Sequence, residues 1–237
     1  MPTHSRPTTA VILPGTGSDA DFVTRAFRDP LARRGVQILA VQPDPTQVVG
    51  SYVDALEAAA ARHGRILIGG VSIGAAVALQ WAGAHPGSVV GVLAALPAWT
   101  GSAEQAPAAA SARFTAARLR ADGIDQVTAE MVASSPGWLG RELAKSWRSQ
   151  WPHLPGALEE AAAYRAPGED DLARIEVPVG IAAATDDAVH PIEVARTWAR
   201  LLPHAGLVTT TLDEIGADPA TLGSAALHAL DSVSDAG

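Results

Sequence analysis

The sequence of 237 residues contains no cysteine, which excludes disulfide bonds, thiolate metal sites and a cysteine nucleophile. The absence of cysteine also fits an intracellular protein, and on this basis we expect a cytoplasmic location. Basic clusters are missing too, and the formal net charge is -8. Because nucleic-acid-binding surfaces are strongly basic, we expect no nucleic-acid partner.

Long uninterrupted apolar runs are also absent. Residues 1–7 lack the apolar core of a signal peptide, and we expect them to form a short disordered tail. The most apolar stretch, residues 66–84, is interrupted by several glycines, Ser72 and Gln80, so we interpret it as a buried strand and helix rather than a membrane span. We therefore expect no membrane partner. No residue pattern indicates a cofactor or a metal site, and the oligomeric state is left open.

Short apolar runs alternate with helical patterns through the first hundred residues. This alternation predicts an α/β fold with a doubly wound, mainly parallel sheet. Strand patterns vanish between residues 101 and 170, where proline-glycine breaks separate helical patterns, and they resume near residue 177. We therefore predict a core formed by residues 8–100 and 171–237, with a helical cap or lid inserted at residues 101–170.

One motif carries chemical information. Gly70, Ser72 and Gly74 form a G-x-S-x-G pattern between an apolar run and a small-residue helix. This pattern is typical of a nucleophile elbow, a sharp strand-to-helix turn on which the serine is exposed and the glycines avoid collisions. The start of the helix also favours negative charge developing beside the serine.

Together with the Leu13-Pro14-Gly15-Thr16 loop, the helical insertion and the segment 185–191, this motif makes the chain resemble the α/β-hydrolase superfamily over nearly its whole length. The sheet is trimmed at its N-terminal edge relative to that family. The resemblance implies that Ser72 is the nucleophile and that the backbone N–H groups of Thr16 and Ile73 form an oxyanion hole. It also implies a catalytic acid four residues before Pro191, which favours Asp187 and leaves the neighbouring Asp186 as the alternative.

The resemblance further implies a histidine after Gly216, in the loop that follows the last strand, but Ala217 stands there. We therefore predict a vacant catalytic His position at Ala217, since alanine cannot accept a proton. His190, beside the acid, and His153, in the insertion, are the two histidines that could enter the pocket instead. The expectation is nevertheless a vacancy.

These patterns predict a carboxylesterase-like serine hydrolase scaffold, in an inactivated form, for a small carboxylic ester or a related acyl or carbon-carbon substrate. The alternative is a natural non-hydrolytic member that binds a ligand or acts as a lyase. Large aromatic side chains suit an apolar small-molecule substrate, and the candidates in or beside the insertion are Trp99, Trp138, Trp147 and Trp151. The same side chains could instead attach the insertion to the core.

Overall fold

Strands and helices alternate along the chain in the computed structural model, which describes residues 8–234. The strands are β1 (Thr9–Leu13), β2 (Gln37–Ala40), β3 (Ile66–Val71), β4 (Val89–Ala95), β5 (Val179–Ala184) and β6 (Ala205–Thr210). The helices are α1 (Ala20–Ala32), α2 (Val48–His63), α3 (Ile73–Ala84), α4 (Pro107–Ser134), α5 (Gly137–Gln150), α6 (Leu154–Ala163), α7 (Glu169–Leu172), α8 (Ile192–Leu201), α9 (Leu212–Ala217) and α10 (Ala220–Ser234). The tail predicted for residues 1–7 and the last three residues of the predicted core lie outside the described residues.

All six strands belong to one sheet with the order β2-β1-β3-β4-β5-β6, and every neighbouring pair is parallel. The predicted α/β fold with a doubly wound parallel sheet is therefore confirmed. The chain adds β2 on one side of β1 and then returns to add β3 on the other. The crevice beyond the carboxyl ends of β1 and β3 is the topological switch point, where open α/β sheets bind ligands.

The sheet separates two apolar layers, because successive side chains of a strand point to opposite faces. On β1, Val11 and Leu13 pack into the layer of α2, α3 and α8, whereas Ala10 and Ile12 pack into the layer of α1 and α10. Both sides of the strand are thus buried, which is why β1 is apolar at four successive positions, from Ala10 to Leu13, rather than at alternate ones.

The apolar stretch at residues 66–84 folds as strand β3 and helix α3. All six residues of β3 are buried, and so are most residues of α3. Helix α3 is apolar on nearly every side, so it must be buried on nearly every side, and it packs against the sheet and the neighbouring helices. Within residues 8–234, no helix is long and apolar enough to cross a membrane.

Helices α4 to α7 lie between β4 and β5, and we call them the helical segment. Helix α4 contains a kink at Gly123, whose φ of 78° and ψ of 171° are not helical. The segment has an apolar cluster of its own, which includes Leu119, Val127 and Leu158. It therefore packs partly on itself and partly on the sheet layer below.

The residues after β6 differ from the prediction. We expected residues 212–219 to form a loop, but Leu212–Ala217 form helix α9. Its start is fixed by a capping box, in which the Glu214 N–H donates to the Thr211 hydroxyl at 3.2 Å and the Thr211 N–H donates to the Glu214 carboxylate at 2.9 Å. These two bonds satisfy the backbone groups that a helix start leaves open, so helix forms directly where the strand ends.

Helix α10 lies so close to β5 that a side chain at Gly180 has no room. A Cβ at Gly180 would lie 2.0 Å from the Ala226 carbonyl oxygen. We expect Gly180→Ala to lower the free energy of unfolding by about 1–3 kcal/mol or more, because backbone must move to relieve the contact. Chemical denaturation monitored by circular dichroism measures this loss. Gly156→Ala is the matched control, since nothing lies within 4 Å of a Cβ there, and an equal loss in both variants would contradict the packing argument.

Candidate active site

Ser72 stands at the turn between β3 and α3, at the carboxyl edge of the sheet. Its φ of 55° and ψ of -115° are unusual for a residue with a side chain. Its N–H donates to the Ala95 carbonyl at 2.9 Å, which ties the turn to the end of β4. Such strained backbone persists only where the surroundings hold it, and it is concentrated at functional sites.

The two glycines of the motif permit this turn by letting backbone approach backbone. A Cβ at Gly70 would lie 2.5 Å from the Gly74 carbonyl carbon, and a Cβ at Gly74 would lie 2.4 Å from the Leu13 carbonyl oxygen. Real Cβ contacts are longer than this, so a side chain at either position would push the turn away from β1.

The loop after β1 passes directly beside Ser72. A Cβ at Gly15 would lie 3.5 Å from the Ser72 Cβ, and Thr16 lines the same cavity as Ser72. The buried Tyr52 hydroxyl donates to the Pro14 carbonyl at 2.9 Å and so holds the start of the loop. Burial raises the pKa of this hydroxyl above its ordinary value, so it remains a donor. Ile73 is the first residue of α3, a position whose N–H has no acceptor within the helix.

An imidazole reaches Ser72 from the loop after β5. The His190 Nε2 lies 3.0 Å from the Ser72 Oγ, and the His190 Nδ1 lies 2.7 Å from the Asp187 Oδ2. Because an ionised carboxylate can only accept, the ring proton belongs on Nδ1, and Nε2 then offers a lone pair to the serine hydroxyl. The Asp187 and His190 side chains are 8% and 17% exposed, so water competes little for these contacts.

Asp187 also folds the loop that carries His190. Its Oδ1 accepts from the Val189 N–H at 2.8 Å and from the His190 N–H at 3.2 Å. Burial disfavours the charged carboxylate, but the hydrogen bond and charge of His190 and the two backbone donors outweigh it. They hold the pKa of Asp187 below its ordinary value. One carboxylate therefore fixes both the imidazole and the backbone beneath it.

The predicted vacancy at Ala217 does not match this geometry. Asp187 points to His190 and not to Ala217, which is exposed at the end of α9. Next to it, the Trp138 indole covers Gly216, where a Cβ would lie 2.2 Å from the Trp138 Cδ1. The expectation that Ser72 lacks a partner imidazole was wrong, because His190, the alternative to the vacancy, contacts Ser72 from the loop after β5.

The other acidic candidate is directed elsewhere. Asp186 is exposed, and its Oδ1 accepts from the Leu212 N–H at 2.8 Å, at the start of α9. It therefore stabilises a helix N-terminus instead of contacting the imidazole.

Ser72, Asp187 and His190 all line a cavity of about 490 Å³ between the carboxyl ends of the strands and the helical segment. The volume is within the range of small-molecule sites. Most of the residues that line it are apolar, among them alanines, leucines and tryptophans. Among its charged residues, Arg118 contacts Glu130 at 2.8 Å, and Glu142 contacts Arg25 at 2.6 Å. Since these charges are paired, the wall suits a neutral ligand.

Three of the four predicted tryptophans line the cavity, namely Trp99, Trp138 and Trp147, and they also attach the helical segment to the core. The Trp99 Nε1 donates to the Tyr164 carbonyl at 3.2 Å, and the Trp138 ring stacks on Phe22 at 6.3 Å. The prediction for Trp151 was wrong, since it is 39% exposed and is not part of the cavity wall. Helix α5 ends at Gln150, so Trp151 no longer follows the face that directs Trp147 inward.

Comparison with protein-family models and with curated proteins finds no match. Solved structures do match. A carboxylesterase from Nitrososphaera gargenis gives a TM-score of 0.75 at 14% identity, covering 98% of this chain and 93% of that chain. An alpha/beta hydrolase from a Medee basin deep-sea metagenome library gives a TM-score of 0.70 at 16% identity, covering 94% of this chain and 89% of that chain. The enol-lactonase from Burkholderia xenovorans gives a TM-score of 0.64 at 17% identity, covering 88% of this chain and 84% of that chain.

Identities this low show the fold alone. The chain has the fold of the α/β-hydrolase superfamily, which confirms the resemblance drawn from the sequence.

The position of Ala217 gives a direct test of the corrected geometry. We expect Ala217→His to change the rate of ester hydrolysis less than about twofold, because the new imidazole would sit on an exposed helix end while Asp187 already holds His190. We also expect Ala217→His to restore nothing to a His190→Ala background. Steady-state assays on 4-nitrophenyl esters measure both effects. Recovery of activity in the double variant would contradict this geometry.

Proposed function

We propose that this chain is an active serine hydrolase of small, neutral carboxylic esters. The observation that carries the proposal is the continuous series of contacts from Ser72 Oγ to His190 at 3.0 Å and from His190 to Asp187 at 2.7 Å, inside a ligand-sized cavity. In this proposal residues 101–170 act as a cap that forms the upper wall of the cavity. The similarity to carboxylesterase and lactonase structures supports acyl chemistry at the level of the fold.

The reaction follows from the protonation states. The His190 Nε2 takes the hydroxyl proton as the Ser72 oxygen bonds to the ester carbonyl carbon, and the carbonyl oxygen becomes an oxyanion. The N–H groups of Thr16 and Ile73 donate to that oxygen. His190 then gives the proton to the leaving alcohol oxygen as the carbon-oxygen bond breaks, which leaves an acyl-serine. Water, deprotonated by His190, attacks the acyl-serine, and His190 then returns this proton to the Ser72 oxygen as its bond to the acyl carbon breaks, which releases the acid and free Ser72.

Asp187 contributes in two ways. It keeps the proton on Nδ1 so that Nε2 can act as a base, and it stabilises the imidazolium that forms when His190 is protonated. Because the pKa of Asp187 is below its ordinary value, its carboxylate stays charged at neutral pH. Asp187 is thus assigned as the acid in place of Asp186.

The substrate class follows from the wall of the cavity. Its charged side chains are paired with one another, and its remaining surface is largely apolar. Small side chains of α4 and α6, including Ala108, Ala112 and Ala162, leave the space that an apolar acyl or alcohol group would fill.

The central test removes the proposed nucleophile and base. We expect Ser72→Ala and His190→Ala each to lower kcat by about 10⁴–10⁶-fold, since the members of such a triad act as one unit. Hydrolysis of 4-nitrophenyl butyrate measures turnover, and labelling by a fluorophosphonate probe measures the nucleophilic reactivity of Ser72. His153→Ala is the matched control, because His153 is exposed in the helical segment and does not line the cavity.

The outcomes separate the two classes of protein. Loss of both hydrolysis and labelling in Ser72→Ala, with normal behaviour of His153→Ala, supports the hydrolase. If the wild type neither hydrolyses esters nor reacts with the probe, yet binds an apolar ligand, the non-hydrolytic alternative replaces the proposal.

A second test concerns the substrate space. We expect Ala112→Leu to lower kcat/KM for hexanoate and benzoate esters by about 10-fold and for acetate esters by less than about twofold, because the added carbons fill the apolar wall. Ala110→Leu lies on the same helix but is exposed and outside the wall, so it should leave both unchanged. Equal losses on short and long esters would contradict the assignment of Ala112 to the substrate space.

A further inference from the structure

We infer that helix α5 positions the oxyanion hole, with the Ser146 hydroxyl as the group that orients the Thr16 N–H. The inference rests on the proposed function, because that function assigns the Thr16 N–H to the oxyanion. Ser146 touches neither the substrate nor Ser72 in this scheme, so it is a positioning residue.

The turn after β1 sets the direction of the Thr16 N–H. The Ser18 N–H donates to the Gly15 carbonyl at 3.0 Å, which closes a four-residue turn. Gly17, at the third position, has a φ of 71°, as a type II turn requires. In a planar trans peptide the C=O and the N–H point in opposite directions. Holding the Gly15 C=O inside the turn therefore directs the Thr16 N–H out of it.

A hydrogen bond from Ser146 connects this turn to α5. The Ser146 hydroxyl donates to the Gly17 carbonyl, which is the nearest of the three carbonyls around it. The Gly17 carbonyl belongs to the same peptide group as the Ser18 N–H. Ser146 thus holds one end of the peptide whose other end closes the turn. Because Ser146 is only 2% exposed, bulk water cannot readily replace its hydroxyl.

Neighbouring contacts hold the rest of the loop in the same way. The Gln150 Nε2 donates to the Ser18 carbonyl at 2.9 Å, and Tyr52 donates to the Pro14 carbonyl. The Trp147 indole covers Gly17, where a Cβ would lie 2.7 Å from the Trp147 Nε1. Among the residues from Thr8 to Ser234, no acceptor is found for the Thr16 N–H. These contacts thus hold the loop on several sides while the Thr16 N–H stays without an acceptor within residues 8–234.

These contacts attach α5 to the loop after β1. Its inner face contacts the loop through Ser146, Trp147 and Gln150, and Lys145 forms an ion pair with Asp19 at 3.1 Å just beyond the loop. A movement of α5 away from the core would release the Gly17 and Ser18 carbonyls. The hydrogen-bond donors of the active site therefore depend on a helix outside the sheet.

The test compares Ser146→Ala with Ser149→Ala. The Ser149 hydroxyl donates only within its own helix, to the Ser146 carbonyl at 2.8 Å, so Ser149→Ala is the matched control. We expect Ser146→Ala to lower kcat by about 10-fold with KM unchanged, since losing an oxyanion donor outright costs about 10²–10³-fold and misorienting it costs less. Gln150→Met should give a smaller effect, because its partner carbonyl lies beyond the turn.

The ratio of the rates for an oxygen ester and its matching thionoester is a readout that a general structural defect would leave unchanged. The sulfur of the thionoester accepts hydrogen bonds more weakly than oxygen, so it gains less from an oriented N–H. We expect Ser146→Ala to slow the oxygen ester more than the matching thionoester, and Ser149→Ala to leave their ratio unchanged. Equal slowing of both esters by Ser146→Ala would overturn the inference.

Amide hydrogen exchange distinguishes failure of the inference from failure of the proposed function. We expect faster exchange of the Ser18 amide in Ser146→Ala, with the amides of β3 unaffected, in NMR spectra of the full chain. If the wild type hydrolyses no ester, the proposed function fails, and the Ser18 amide alone decides whether Ser146 orients the turn. Unchanged exchange at Ser18 would overturn the positioning role even in an active enzyme.

Discussion

Contact between two backbone segments sets the distance on which the candidate site depends. The first turn of α3 lies against the end of β1 because Gly74 presents no side chain to the Leu13 carbonyl. This contact places the loop after β1 beside Ser72. An error of about 1 Å in the placement of reacting groups can cost about 10²-fold in rate, so a single methyl group here would separate the parts of the site. The buried apolar strands on either side keep α3 and β1 at this distance.

In the loop after β5, one carboxylate holds both a side chain and the backbone. The Asp187 Oδ2 contacts the imidazole of His190, and the Asp187 Oδ1 accepts hydrogen bonds from the backbone N–H groups of Val189 and His190. Asp187, His190 and the turn between them thus form one local unit. The ring does not depend on a separate loop for its orientation, so a shift of the loop moves both groups together.

The fold and part of the site could be predicted from the sequence, and the reasons are local. The apolar runs of the strands are continuous because both faces of the sheet are covered, and the motif around Ser72 contains in itself the glycines that the turn needs. The choice of Asp187 over Asp186 rested on spacing, and the structure brings Asp187 to the imidazole while Asp186 binds the start of α9.

His190 was only an alternative in the sequence analysis, because the family resemblance placed the imidazole after the last strand. Ser72 and His190 are 118 residues apart, and no periodicity records a contact over that distance. Two local signals were nevertheless present. A histidine three residues after an acid fits a turn folded by that carboxylate, and Thr211 and Glu214 form a capping-box pattern that favours helix where a loop was expected.

The location of His190 has a consequence for how the chain matures. Every residue proposed to take part in the chemistry is encoded before residue 191, so a nascent polypeptide carries all of its reactive groups while β6, α9 and α10 are still to be made. Strand β5, which bears Asp187 and His190 at its end, then lacks the helix that packs against Gly180. Because α10 packs on β5, this strand gains its full cover only after the chain beyond residue 219 has been made, and that part of the chain contributes none of the proposed reacting atoms.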